Sequence, residues 1–308
     1  MTSLDRRQFL DTVAAVGCAA FAGMRTLQAA DALVEINPVQ VGPVISAHLY
    51  GHFIEHLGGV IYDGIWVGRD STVPNVGGIR KQFVDDMRRL GAPNLRWPGG
   101  CFADGYHWRD GIGPGRRPRT YNYWESRMPA GLHAVERNGF GFLEFMRLCR
   151  LVGAEPYVAA NVGSGTPQEF HDWVSYSNAP AGTISLADER ASNGEPAPFN
   201  VKYWGVGNES WGCGGNMTGG EYATAYRRFI AQCPTYVPSF FVAAGPRGHS
   251  ADGDVGWTES FFRGLGEARG LGVKVDGFAL HYYTDFRQTA EDGATFDAKG
   301  WYAVLHKG

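Results

Sequence analysis

Lys202-Tyr203-Trp204-Gly205-Val206-Gly207-Asn208-Glu209-Ser210 passes from an apolar run to a polar pair within nine residues. Val201, Tyr203, Trp204 and Val206 are β-branched or aromatic, and Pro198 just upstream is a breaker, so the segment predicts a strand. It ends in Gly205, Gly207 and the polar pair Asn208-Glu209, as a barrel strand does when its C-terminal end carries chemistry. A carboxyl held among aromatic rings loses hydration, which raises its pKa toward that of a general acid. Asn208 can both donate and accept hydrogen bonds, as recognition of a sugar hydroxyl requires. Taken alone, the same residues also describe a strand ending in a solvated glutamate.

Outward from this stretch the chain alternates strand and helix. Val44 to Phe53 predicts a first strand. Ile79, Phe83, Met87 and Leu90 are spaced as one helix face, stopped by Gly91 and Pro93. Asn94 to Trp97 is a second strand, broken by Pro98-Gly99-Gly100, and a long loop runs from Cys101 to Asn138. A helix over Phe140 to Val152, a strand over Pro156 to Asn161 and a helix over Gln168 to Ser177 lead to the opening stretch. Then come a helix over Gly220 to Cys233, a strand over Phe240 to Ala244, a helix over Thr258 to Ala268 and a strand over Val275 to Tyr283. Such alternation means a parallel sheet covered by helices. Glu55, Arg96, Asn161, Glu209, His281 and Tyr283 stand at strand C-terminal ends. Polar groups converging from many strands suit a (β/α)8 TIM barrel better than a doubly wound sheet, which uses one crevice. The expectation is an incomplete barrel over residues 33–308, with about six of its eight strand-helix units and no seventh strand.

With 308 residues, 44% hydrophobic and 19% charged, the chain has the composition of an ordinary globular protein. Its net charge of −3 argues against a nucleic-acid partner, which needs a basic face. Nine Trp and 14 Tyr suit a carbohydrate cleft, though ordinary core aromatics would read the same. Residues 1–32 read as a twin-arginine signal: Asp5-Arg6-Arg7-Gln8-Phe9-Leu10, a moderately apolar run from Val13 to Met24, and the small-x-small site Ala30-Asp31-Ala32. The run is too short for a stable membrane span, so the expectation is export to the periplasm or beyond. A lipoprotein site at Ala15-Val16-Gly17-Cys18 is the alternative. Cys101, Cys149, Cys213 and Cys233 show no close pairing or metal-ligand spacing. Cys149 falls on an apolar helix face, as a buried free thiol would. Disulfides are compatible with an oxidising compartment, but none is demanded.

Four motifs in order carry a family resemblance: Gly51-His52-Phe53-Ile54-Glu55-His56, Leu95-Arg96-Trp97-Pro98-Gly99-Gly100-Cys101-Phe102, Tyr203-Trp204-Gly205-Val206-Gly207-Asn208-Glu209 and Leu280-His281-Tyr282-Tyr283-Thr284. Together with Tyr62-Asp63-Gly64-Ile65-Trp66-Val67-Gly68 they resemble glycoside hydrolase family 51, mainly α-L-arabinofuranosidases. The resemblance implies that Glu209 is the general acid/base and that Asn208 binds the arabinose 2-hydroxyl. It implies that Glu55, Arg96 and Cys101 line the pocket for the terminal arabinose, and that His281 and Tyr283 flank the catalytic carboxylates. Trp108 and Trp124, in the long loop, would shape the entrance. The implied partner is an arabinose-containing oligo- or polysaccharide, with no cofactor and no metal; homo-oligomerisation is left open. In this family the nucleophile is a Glu at the end of the seventh strand. Retention needs the two carboxylates about 5–5.5 Å apart. The expectation is that neither this nucleophile nor the family's C-terminal β-sandwich lies in residues 33–308.

Two readings of other classes stay beside this one. His52-Phe53-Ile54-Glu55-His56 fits the H-x-x-E-H pattern of zinc peptidases, which requires both histidines on one helix face. A truncated, non-catalytic fragment or pseudoenzyme without its nucleophile is the other.

Overall fold

The alternation of strand and helix is realised as one parallel sheet in the computed structural model, which describes residues 42–119, 121–124, 135–246, 255–266 and 273–281. Residues 1–41, including the twin-arginine pattern, and Tyr283 lie outside the described residues. Ile45–Tyr283 makes one compact unit; residues 42–44 are the described part of a second and are exposed.

The strands are β1 (His52–Phe53), β2 (Asn75–Val76), β3 (Ile79–Arg80), β4 (Asn94–Trp97), β5 (Glu155–Ala160), β6 (Tyr203–Val206), β7 (Phe240–Ala244) and β8 (Gly277–Ala279). The helices are α1 (Lys81–Leu90), α2 (Phe142–Val152), α3 (Pro167–Asn178), α4 (Ser185–Ser192), α5 (Gly219–Ile230) and α6 (Val255–Gly266). The sheet order is β1-β4-β5-β6-β7-β8, every pair parallel, and β2-β3 form a separate antiparallel pair. Its six strands follow the predicted order, β1 much shorter than expected, and the sheet curls as part of a (β/α)8 barrel.

The period-2 alternation of the strands sorts their side chains. Leu95, Trp97, Val158, Trp204 and Val206 are fully buried under the helices. Trp97 stacks on Phe145 at 5.1 Å, and Trp173 meets Trp204 edge-on at 5.9 Å. Burying each such ring contributes about 1.5–3 kcal/mol. Arg96, Tyr157 and Tyr203 take the opposite face, where the Arg96 guanidinium sits over the rings of Phe53 and Tyr157. Tyr222 of α5 ties two strand ends together: its hydroxyl donates to the Val206 carbonyl and accepts from the Ala244 N–H.

Several local expectations need correction. The predicted strand from Val44 is mostly absent. Ser46 accepts from the His48 N–H and opens a short 3-10 turn over Ala47–Tyr50, leaving only His52–Phe53 paired. Ile79 belongs to β3 and not to the helix, because Gly77 and Gly78, both at positive φ, turn the chain back on itself there. The buried face of α1 is Val84 and Met87, while Leu90 is exposed. Helix α4 is not foreseen by periodicity, since its length is short and its side chains are mostly polar.

Helix α4 owes its place to Arg190. This fully buried guanidinium donates to the carbonyls of Tyr176, Ala179, Glu195 and Pro196 and closes the ends of α3 and α4 against each other. Among the described residues no helix is long and apolar enough to cross a membrane. Arg190→Leu strands those carbonyls, each at about 1–3 kcal/mol where water cannot reach. Several kcal/mol of stability should be lost in a denaturant melt. Arg150→Leu, which removes an exposed pair with Glu195, should lose about 1 kcal/mol or less.

Candidate active site

The ends of β1, β4, β6 and β8 meet at a pocket lined by Phe53, Glu55, Arg96, Gly100, Cys101, Trp124, Asn208, Glu209 and His281. Gly207 and Glu209 both have positive φ, and for a glutamate that left-handed backbone costs on the order of 1–3 kcal/mol. The Glu209 carbonyl accepts the N–H groups of Gly212 and Gly214, so the following loop folds back over its own start. Glu209 Oε1 lies 2.9 Å from His281 Nδ1, and Oε2 faces the sulfurs of Cys101 and Cys213 at 4.0 and 3.7 Å. Those sulfurs form a disulfide across 112 residues of sequence, so neither has a hydrogen to donate to the carboxylate. Arg96 donates to Asn208 Oδ1 at 2.7 Å, which fixes the amide and leaves its NH2 as the donor end. The Glu55 carboxylate is buried and accepts the backbone N–H of Gly100 and of Phe102.

Asp104, which sequence reasoning missed, sits beneath this surface. Its Oδ1 accepts the N–H of Val162 and of Gly163 beyond β5, and its Oδ2 accepts the N–H of Asn208 beyond β6. One carboxylate thus joins the β4 loop to the ends of two further strands. Gly214 closes over it: a Cβ there would stand 1.8 Å from the Asn208 carbonyl oxygen and 2.8 Å from Asp104 Oδ2. Burial pushes the Asp104 carboxyl up to about 7 against the opposing pull of its three N–H donors and of Arg96. The available signal was a lone carboxylate in Cys101-Phe102-Ala103-Asp104, a run otherwise too apolar for a solvated loop.

Of the residues predicted for the site, Glu55, Arg96, Cys101, Asn208, Glu209, His281 and Trp124 come together in the pocket. Trp108 does not. It is 1% exposed, stacks on Trp173 at 5.9 Å and donates its ring N–H to the Glu169 carbonyl, so it belongs to the core under α3. The zinc alternative loses its geometry. His52 and Phe53 form β1, Ile54 to His56 continue as a non-helical segment, and no helix brings the histidines onto one face. His56 is buried; Trp97 donates to its Nε2, its Nδ1 faces Glu136 Oε2 at 3.3 Å, and its ring stacks on Phe102. Burial pushes the Glu136 carboxyl up, but His56, the Tyr62 hydroxyl and the Asn138 N–H together hold it below its usual range. Tyr62 donates to Glu136 Oε1, so His56 faces a carboxylate that the protein itself already engages.

A parallel sheet curling toward closure, with a carboxylate, an amide, a guanidinium and an imidazole gathered where its strands end, has the layout of a (β/α)8 barrel that carries its site at the C-terminal face. Comparison narrows the class. Residues 86–299 match the family described as Alpha-L-arabinofuranosidase 1 domain. An intracellular exo-α-L-arabinofuranosidase of Bacteroides ovatus is 42% identical over 282 residues, 90% of this chain and 51% of that protein. A probable α-L-arabinofuranosidase C of Aspergillus niger is 38% identical over 180 residues, 58% of this chain and 34% of the relative. The crystal structure of the GH51 arabinofuranosidase from Xanthomonas axonopodis pv. citri superposes with a TM-score of 0.71 at 39% identity, covering 87% of this chain and 52% of that one. The chain belongs to the α-L-arabinofuranosidases of glycoside hydrolase family 51. It spans about half the length of the Bacteroides relative.

The elevated pKa of Asp104 has a signed consequence. A carboxyl ordinarily near 3.8 and raised to about 7 on folding contributes fully below pH 3.8. That contribution is lost as pH rises through about 7, by an amount on the order of 4 kcal/mol. Asp104→Asn abolishes this titration. The stability of the unmodified protein relative to the variant should therefore fall between about pH 4 and pH 7 and then level off, as read from thermal melts across that range.

Proposed function

We propose that this site releases terminal α-L-arabinofuranosyl groups, with retention of configuration, from arabinose-containing oligo- or polysaccharides. What carries the proposal is the Glu209 carboxyl: held on a left-handed backbone, 2.9 Å from His281 Nδ1, beside an Asn208 amide oriented by Arg96. In this reading Glu209 protonates the departing glycosidic oxygen and afterwards draws a proton from the incoming water. His281 orients the carboxyl between the two steps. The Asn208 NH2 donates to the sugar 2-hydroxyl, a hydrogen bond that strengthens as positive charge grows on the ring. Glu55, already committed to two backbone N–H donors, has one oxygen engaged and the other available for a sugar hydroxyl. Trp124 supplies a face at the pocket rim. Tyr283 falls outside the described residues.

Glu209→Gln should slow hydrolysis of natural arabinosides by about 10²–10⁴-fold, while aryl arabinofuranosides with very good leaving groups lose much less at the glycosylation step. Single-turnover rates on both substrate types measure this, and an equal loss on both would remove Glu209 from the acid/base role.

We also propose export by the twin-arginine route. Support comes from Arg6-Arg7 ahead of the apolar run and from Ala30-Asp31-Ala32. Replacing both Arg6 and Arg7 by Lys should hold a fused reporter in the cytoplasm. Undiminished export of the double variant would refute the assignment.

A further inference from the structure

Cys101 and Cys213 reach Glu209 from two different loops and meet the same carboxylate oxygen. We propose that reduction of the Cys101–Cys213 disulfide opens a site for a thiophilic divalent cation such as zinc or cadmium, bound by both thiolates and Glu209 Oε2. The geometry fits. Metal–sulfur bonds of about 2.3 Å and metal–oxygen bonds of about 2.0–2.2 Å put sulfur and oxygen roughly 3.6 Å apart around a tetrahedral ion. Sulfur-to-Oε2 distances of 3.7 and 4.0 Å are already present. The two Cα atoms are 5.5 Å apart, and the sulfurs need only part to about 3.8 Å, the edge of a tetrahedron with 2.3 Å bonds. Cys213 is half-buried, and once the S–S bond is broken its side-chain torsion is released from the ring that the disulfide closes.

The carboxylate is prepared for the task. His281 Nδ1 engages Oε1, so Oε2 is the oxygen turned toward the sulfurs, in the way an outer partner orients a ligating carboxylate. The fourth position opens into the pocket, where water or a sugar hydroxyl can complete the shell. Two thiolates and a carboxylate around a dication carry one net negative charge, and Arg96 lines the same pocket. Two thiolates also select soft ions over magnesium or calcium. The other thiols cannot compete: burial pushes Cys149 well up and Cys233 to about 12, so both stay protonated near neutrality.

The chemistry balances. A trialkylphosphine attacks one sulfur, the S–S bond breaks, and hydrolysis gives two thiols and the phosphine oxide, its oxygen coming from water. The cation then displaces both thiol protons into the buffer. Binding needs no assumption about catalysis. That an occupied site halts proton transfer by Glu209 rests on the function proposed above.

The test is a cadmium titration of the full chain, oxidised and after phosphine reduction, followed by thiolate-to-cadmium ultraviolet absorption and proton release. The reduced protein should take up one cadmium and release two protons, and the oxidised protein should give no band. Cys213→Ser should abolish the band, Glu209→Gln should weaken binding at least about tenfold, and a Cys149→Ser/Cys233→Ser double variant should leave it intact. If Cys213→Ser does not fold, alkylating the reduced pair in the unmodified protein replaces it. A band in the oxidised protein, one that survives loss or blocking of Cys213, or an affinity indifferent to Glu209→Gln would overturn the site. None of these readouts depends on arabinoside hydrolysis, so failure here is separable from failure of the proposed activity.

Discussion

The architecture of this site depends on what happens to backbone N–H groups once a parallel strand ends. Inside the sheet each is paired; just beyond the last ladder bond they point into the barrel mouth without partners. Leaving them buried and unmatched costs about as much as a lost hydrogen bond each. Asp104 answers for three of them, at Val162, Gly163 and Asn208, and Glu55 for two more, at Gly100 and Phe102. Both carboxylates are buried, so both are desolvated, and the N–H donors are what make that tolerable. The result is a mouth held by side chain-to-backbone bonds between different strands. Asn208 is positioned by this frame, and Glu209 follows it into a loop that closes on the Glu209 carbonyl.

The parts legible in the sequence are those set by periodicity and by strand-end composition. The alternation of Leu95 with Arg96 and of Trp97 beside it, and the run from Tyr203 to Glu209, carried the sheet order and most of the pocket. What stayed hidden depends on contacts distant in sequence. Nothing local to Cys101 or Cys213 pairs them across 112 residues; the pairing exists because β4 and β6 end on the same side of the sheet. Asp104 is equally opaque, since its partners lie 58, 59 and 104 residues away. Helix α4 is invisible to hydrophobic period because a buried arginine, not an apolar stripe, anchors it.

Two residues looked functional and are structural. Trp108 fits the image of an entrance aromatic, yet it completes a ring cluster with Trp173 and Tyr176 below the surface. His56 sits in a pattern suggestive of a metal ligand, yet Trp97, Glu136 and Phe102 occupy its two nitrogens and its face. In both cases the composition of the motif was right for a site, and only the direction of the side chain decided otherwise. Direction follows from which strand face or turn the residue occupies, which a single sequence fixes well for a six-residue strand and poorly for loops.

The left-handed backbone at Glu209 narrows the paths open to mutational drift. Asparagine, aspartate and glycine enter that region readily, while β-branched residues are strongly disfavoured. A lineage losing the carboxylate at this position would therefore be steered toward asparagine or glycine, which keep the loop intact on an undamaged frame. Replacement by valine or isoleucine would disturb the loop as well as the chemistry, and selection on folding alone would remove it. The backbone thus leaves a signature by which disused copies of this site could be told from damaged ones.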